Sequence, residues 1–259
     1  MKVIDIIKKI ETRIPPEWSE DWDNTGLMLG NPNADVRGIA VSLDATEQSV
    51  SDAVNCGCEL LITHHPVIFR PISRIISTSA ASSAISSALR SGVSVYSAHT
   101  NWDSSPEGVN VILSSRLGMS DIAPILPGHD GSWGIGAAGV VKTPLRLCQL
   151  AERVKSAWGL GVTLVYGDAE SKISSIALCG GAGGDLLQRV IEMGSDVFIT
   201  ADLNYHHLLD AQFSNLSLIS VDHGEMERAS LSGLCDLIRE AVPVEVHLLE
   251  THNRTPIVI

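Results

Sequence analysis

Displacing the chain against itself by 137 positions brings two stretches into an ungapped match. Gly30 falls on Gly167, Ile39-Ala40 on Ile176-Ala177, Ala45 on Ala182, Gly57 on Gly194 and Ile62-Thr63 on Ile199-Thr200. Such self-similarity constrains the fold strongly, because both copies must build the same supersecondary unit. In each copy a short apolar run ends at Gly (LMLG, TLVYG) and a second run follows (GIAVSL, SIALCG). A helical pattern then stops near Gly57 or Gly194, and a third run closes on Ile-Thr (ELLIT, DVFIT). Each copy adds a helix and a further run, VSVYS before His99 and LSLIS before Asp222. Alternating strands and helices predict an α/β protein with largely parallel sheets in two similar lobes. The division expected is a first α/β repeat at 1–125 and a second at 126–259.

The flanking segments fit this plan. Apolar residues at 3, 4, 6, 7, 10 and 14 predict an amphipathic helix over Lys2 to Ile14, matched in the second copy by a Pro-initiated helix over Pro144 to Trp158. The stretch STSAASSAISSALRSG reads as a tightly packed helix, with small residues at 80, 84 and 88 joined by Ile85 and Leu89 on one face. Loops are expected at 15–25 and at 121–136.

A chain of 259 residues can bury a sizeable core, and 44% hydrophobic with 19% charged residues is the composition of a folded protein. A formal net charge of -12 without any Lys/Arg-rich stretch argues against general binding to nucleic acid or anionic membranes. Asp5, Lys8, Lys9 and Glu11 interrupt the N-terminal apolar pattern, so it does not read as a signal peptide. No window approaches the ~18 apolar residues of a membrane span, and a cytoplasmic location is expected. Five scattered cysteines imply no disulfide framework, and the lone C-x-C of Cys56 and Cys58 reads as ordinary small thiols.

Potential metal ligands cluster just after three of the strands: His64-His65, Asp103, and the His223/Glu227 pair. Side chains past the carboxyl ends of neighbouring strands in an α/β sheet converge on a crevice. Histidines and carboxylates there suit divalent metals, and this set could hold two. Each cluster alone has a plainer reading. Adjacent histidines in a continuing strand point to opposite faces, which leaves one ligand and one histidine packed under Phe69 unless the backbone turns. Asp103 could instead cap a helix opening at Ser104 to Glu107. His223 and Glu227 share a face of a helix running toward Arg239, which could also be a solvated face with Glu225 and Arg228. The second copy carries Asp202, Tyr205 and His206 at the corresponding edge. The run GGAGGD at 180–185 lacks the G-K-[ST] of a P-loop and the G-x-G-x-x-G of a dinucleotide fold. It reads as a tight strand-to-helix turn, with an anion contact as the alternative.

The motifs taken together resemble the GTP cyclohydrolase 1 type 2 homologue family. The match runs through WDNTGLMLG (Trp22 to Gly30), LDAT (Leu43 to Thr46), the HHP segment (Thr63 to Phe69), H-T-x-x-D (His99 to Asp103), CGG-x-G (Cys179 to Gly183) and H-x-x-x-E-R (His223 to Arg228). It spans essentially the whole chain in the family's order. The resemblance implies two intertwined, duplicated α/β lobes with mixed sheets, a dinuclear metal site and a homohexamer. By motif position the implied ligands are His64, His65, Asp103, His223 and Glu227. The chain departs from the family at Ala201, where Gly is usual, and at Ala137, where Arg is frequent, so no phosphate contact is carried over through position 137.

Two classes of function follow. One is a metal-dependent hydrolase using two divalent ions (Zn, Fe, Mn, Co or Ni) on a small molecule such as a purine nucleotide. His99 would move protons beside the metals there, or serve only to hold a ligand carboxylate. The other is a metal-binding or metal-delivery protein, or an interaction scaffold, without turnover. An open coordination position and an organic-substrate pocket would distinguish the first.

Overall fold

The computed structural model describes residues 1–250. Along the chain come α1 (Val3–Glu11), β1 (Gly26–Leu29), β2 (Gly38–Ser42), α2 (Glu47–Asn55), β3 (Leu60–Thr63), α3 (Ala80–Ser91), β4 (Ser94–Ser97) and α4 (Thr100–Asp103). Next are α5 (Val109–Arg116), β5 (Met119–Ala123), β6 (Leu126–Pro127), β7 (Gly134–Ile135), β8 (Ala137–Arg146), α6 (Leu147–Trp158) and β9 (Thr163–Tyr166). Then follow β10 (Lys172–Ala182), α7 (Leu187–Met193), β11 (Val197–Ala201), α8 (Tyr205–Phe213), β12 (Ser217–Val221) and α9 (His223–Arg228). The last are α10 (Leu231–Ala241) and β13 (Glu245–Leu248).

Two compact units result. Among the described residues, the first joins Met1–Trp102 to residues 231–250, and the second comprises Asp103–Ser230. This division by compactness differs from the expected division by sequence repetition at 1–125 and 126–259, whose last residues, 251–259, lie outside the described residues. The first unit also takes its last strand from the far end of the chain, since β13 pairs parallel with β2.

The first unit's sheet has the order β1-β4-β3-β2-β13, with β1 antiparallel to β4 and the others parallel. The second unit's sheet has the order β5-β8-β10-β11-β12-β9, with β10, β11 and β12 parallel and β9 antiparallel to β12. Its outer strands β5 and β8 are antiparallel as well. Strands β1, β2, β3 and β4 thus correspond in order and direction to β9, β10, β11 and β12. Even the register is kept. Ile39 pairs Leu60 and Ala40 pairs Leu61 in one sheet, while Ile176 pairs Val197 and Ala177 pairs Phe198 in the other. These are the same pairs displaced by the sequence offset.

The cores repeat too. Val50 and Ala53 of α2 and Ala88 of α3 cover Ala40, Leu61 and Val95. Leu187 and Val190 of α7 and Ala211 of α8 cover Ala177, Phe198 and Leu218. The central strands β2, β3 and β4 are buried along their whole length, which is why they read as unbroken apolar runs. Thr46 caps α2 in a reciprocal capping box with Ser49, and Ser79 caps α3. In α1, Val3, Ile6, Ile7 and Ile10 are buried, as the spacing predicts.

Four local expectations are corrected. The helix expected from Pro144 starts at Leu147, because β8 stays paired with β10 through Arg146. Pro144 lies in β8 where the pairing register shifts between Val140 and Leu145, a place that tolerates a missing N–H. The loop expected at 121–136 contains the β6–β7 hairpin. The helix from His223 stops at Arg228, and a separate helix begins at Leu231. On α3 the buried face is Ala84, Ile85 and Ala88, whereas Leu89 is exposed. Among the described residues no helix is long and apolar enough to cross a membrane.

One close approach is shared by both copies. Gly30 leaves β1 with φ +110°, and a Cβ there would lie 2.6 Å from Ser94 Cα. Gly167 leaves β9 with φ +141°, and a Cβ would lie 2.8 Å from Ser217 Oγ. Ser94 and Ser217 occupy the same place at the start of β4 and β12. Gly30→Ala is expected to lower unfolding stability by about 2–4 kcal/mol in chemical denaturation, from strain and overlap with backbone. Gly167→Ala should cost less, because its nearest neighbours are side-chain atoms. Wild-type stability in both variants would refute the common packing role.

Candidate metal centre

In the first unit the chain turns as β3 ends. His64 N–H donates to the Ser42 carbonyl (3.2 Å) and His65 N–H to the Leu43 carbonyl (2.9 Å), while Thr63 Oγ1 donates to the His65 carbonyl (2.8 Å). This turn removes the strand's alternation. The two rings lie on one side, with centroids 5.1 Å apart. His99, beyond β4, joins them at centroid distances of 5.2 Å from His64 and 5.7 Å from His65. Ligand atoms of the three lie within 4.8 Å of one another.

Each ring is held through Nδ1. His64 Nδ1 meets the Ala98 carbonyl at 2.9 Å, His65 Nδ1 meets Asp44 Oδ1 at 2.8 Å, and His99 Nδ1 meets Asp23 Oδ1 at 2.7 Å. A carbonyl or an ionised carboxylate can only accept, so Nδ1 donates in each case and Nε2 is the ring nitrogen turned away from the anchor. The Asp23 side chain is fully buried and also accepts from the N–H and Oγ1 of Thr100. Burial pushes its carboxyl pKa up, but the His99 hydrogen bond and charge, with Thr100, outweigh it and hold the group well below the usual carboxylate range.

The second unit repeats the device with a different strand. Asp222 caps α9 by accepting from the Glu225 N–H at 2.8 Å, which fixes the first turn after β12. His223 and Glu227, four apart, then share a face, with His223 Nε2 3.2 Å from Glu227 Oε2. His223 Nδ1 meets Asp202 Oδ2 at 2.7 Å. Asp202 sits just after β11 at φ +54°, a left-handed conformation that Asp tolerates better than most residues. The alternative of a solvated helix face is overturned: Glu227 is 3% exposed, and Glu225 is buried, accepting from the Gly161 N–H.

The glycine run at 180–185 serves packing. Strand β10 continues through Ala182, so the first three residues of the run belong to the strand and the turn begins at Gly183. Gly181 has φ +67°, and a Cβ there would stand 2.5 Å from Glu227 Oε1 and 3.2 Å from His223 Nε2. At Gly180 a Cβ would meet Val109 at 2.5 Å, and the Gly180 N–H donates to Asn110 Oδ1.

Asp103 ends α4 and is 9% exposed, and its carbonyl accepts from Asn110 Nδ2 at 2.9 Å. The capping alternative is corrected, because the next helix is preceded by Gly108 and lacks a side-chain cap. Between His99 and Asp103 the chain forms the short helix α4, Thr100–Asp103. Of the second copy's edge residues only Asp202 orients a site histidine; Tyr205 and His206 are exposed and face one another.

Three anchoring carboxylates escaped the sequence reading of roles: Asp23, Asp44 and Asp202. The first two lie in the WDN and LDAT segments, so the signal was an Asp placed before or after a strand within a quoted motif. The donor set fits a divalent metal, because imidazoles tied at Nδ1 by carboxylate or carbonyl are the usual arrangement around such ions. Thiolate ligands do not fit. Burial pushes the Cys58 thiol up to about 12 and the Cys235 thiol up to about 11. Cys56 of the C-x-C pair is exposed while Cys58 is buried.

Comparison with known proteins agrees with this architecture. A Lactococcus lactis protein named GTP cyclohydrolase 1 type 2 homolog is 34% identical, with 98% of each chain covered. NIF3-like protein 1 of Drosophila melanogaster is 29% identical over 94% of this chain and 84% of its own. The crystal structure of a Bacillus cereus protein related to NIF3 superposes with a TM-score of 0.95 at 21% identity, covering 100% of this chain and 99% of the other. The family model described as Duf34/NIF3 (NGG1p interacting factor 3) matches residues 1–255. The chain belongs to the Duf34/NIF3 family.

Proposed function

We propose that this protein is a metal-dependent hydrolase whose His64, His65, Asp103, His223 and Glu227 together hold two divalent ions per subunit. Zn, Fe, Mn, Co and Ni all suit such nitrogen and oxygen donors. The observation that carries the reading is the recurrence of one device in two units: a histidine after a strand whose Nδ1 is fixed by a carboxylate. Bound divalent ions supply Lewis acidity and bring the pKa of water toward neutrality.

The chain's own residues do the rest. Asp44 and Asp202 orient His65 and His223 and raise their basicity as ligands. His99 acts beside the ions as proton carrier. Asp23 fixes its tautomer, so a proton arriving at Nε2 makes an imidazolium already paired with a buried carboxylate. The substrate is a small molecule, and a purine nucleotide accords with the name of the Lactococcus relative. A homohexamer is the assembly that the family resemblance suggests, and the cytoplasm is the location that the sequence pattern suggests.

Metal analysis after reconstitution tests the ligand set. Wild type is expected to retain two ions per chain, and His64→Ala, His223→Ala and Glu227→Ala fewer. Asp44→Ala and Asp202→Ala keep every ligand and should weaken retention about 10–100-fold. Unchanged metal in both His64→Ala and His223→Ala would sink the assignment.

His99→Ala separates a proton carrier from a ligand. The variant should keep its metal while turnover of a substrate found by metabolite-pool screening falls on the order of 10²-fold. Loss of metal, or full activity with metal intact, rules the role out. A wild-type protein that turns over nothing while releasing metal readily would favour metal delivery instead.

A further inference from the structure

The segment that anchors His99 carries an aromatic side chain that the anchoring does not use. In Trp22-Asp23-Asn24, Asp23 is buried against His99 and Thr100, and Asn24 Nδ2 donates to the Ile68 carbonyl. These two attachments fix the backbone and leave the Trp22 indole at the surface, 51% exposed. It stands 5.9 Å from the Phe69 ring at an interplanar angle of 70°, and 6.3 Å from His99 at 76°. Phe69 is perpendicular to His99 at 6.3 Å and is itself 39% exposed. The Arg70 guanidinium lies 4.9 Å from the centre of the Phe69 ring. Arg70 is exposed and makes no ion pair among the described residues.

The fold does not require this corner. Strands β11 and β12 are joined through α8 alone, whereas the corresponding connection in the first unit carries residues 64–79 before α3. Phe69 and Arg70 belong to that extra stretch. Two large rings, half in water and nearly perpendicular, offer a face and an edge to a flat guest, which is the arrangement aromatic rings favour. A guanidinium over one ring offers charge to a guest whose anionic group extends away from its ring.

We propose that Trp22 and Phe69 receive the planar heteroaromatic ring of an anionic substrate beside His99, with Arg70 taking its negative charge. This rests on the reading of the histidine cluster as a reaction centre, and it names the class of molecule that the centre serves. Metal storage has no use for such a corner.

The probes are guanosine 5′-monophosphate and ribose 5-phosphate, which share a phosphate and differ by the ring. Binding of each is measured by calorimetry on metal-reconstituted and metal-free protein, with metal content determined on the same samples. Wild type should bind the nucleotide at least about tenfold more tightly than the sugar phosphate. Trp22→Ala and Phe69→Ala should each weaken nucleotide binding by about 10–100-fold, with the sugar phosphate and the metal content unchanged. Trp22→Phe keeps a ring and should stay within about threefold of wild type, and Arg70→Ala should weaken both probes. No ring preference in wild type, or an equal loss for both probes in Trp22→Ala, overturns the proposal. Ring-selective losses in a protein that takes up no metal would sustain the corner and sink the metal reading. Full metal content without ring preference would do the reverse.

Discussion

The hydrogen bond at histidine Nδ1 sets how the imidazoles of the candidate metal centre are aimed. An imidazole free to rotate or to change tautomer offers either nitrogen to an ion. One held at Nδ1 by an acceptor offers only Nε2, in a direction the backbone sets. His65 and His223 are held by carboxylates, as is His99, and His64 is held by a backbone carbonyl. The acceptors sit at the ends of strands or in segments tied to them, so the sheets are what aim the donors. Asp23 shows the energetics: burial opposes its charge, and the hydrogen bonds it accepts more than offset that opposition.

The duplicated topology explains how a single chain obtains such donors twice. Asp44 follows β2 and holds a histidine that follows β3. Asp202 follows β11 and holds a histidine that follows β12. The device has moved one strand along between copies, while order, direction and register of the four strands have stayed the same. Packing is therefore conserved between the halves more strictly than chemistry, as expected when tight steric demands govern the core and only donor geometry governs the site. Gly30 against Ser94 and Gly167 against Ser217 belong to the first kind. Gly181, which makes room for His223 and Glu227, belongs to the second.

Strand and helix order was legible because the buried parallel strands are continuous apolar runs and the copies share one offset. What failed was non-local. Pro144 looks like a helix start, and only the pairing of β8 with β10 keeps it in a strand. His223 seemed to open one long helix, whereas two helices separated after Arg228 are formed. At the site the donor histidines were visible as clusters after strands. Their anchors were not, because Asp23 lies 76 residues from His99 and Asp44 lies 21 residues from His65. No spacing rule connects residues that meet only through the sheet.

The most direct measurement is anomalous diffraction from crystals of metal-reconstituted protein, recorded on both sides of the metal's absorption edge. Two peaks per chain are predicted, bonded through Nε2 of His64, His65 and His223 and through the carboxylates of Asp103 and Glu227. His99 should remain unbonded, with its Nδ1 still on Asp23. A single peak, bonding through Nδ1, or metal held by residues outside this set would contradict the assignment.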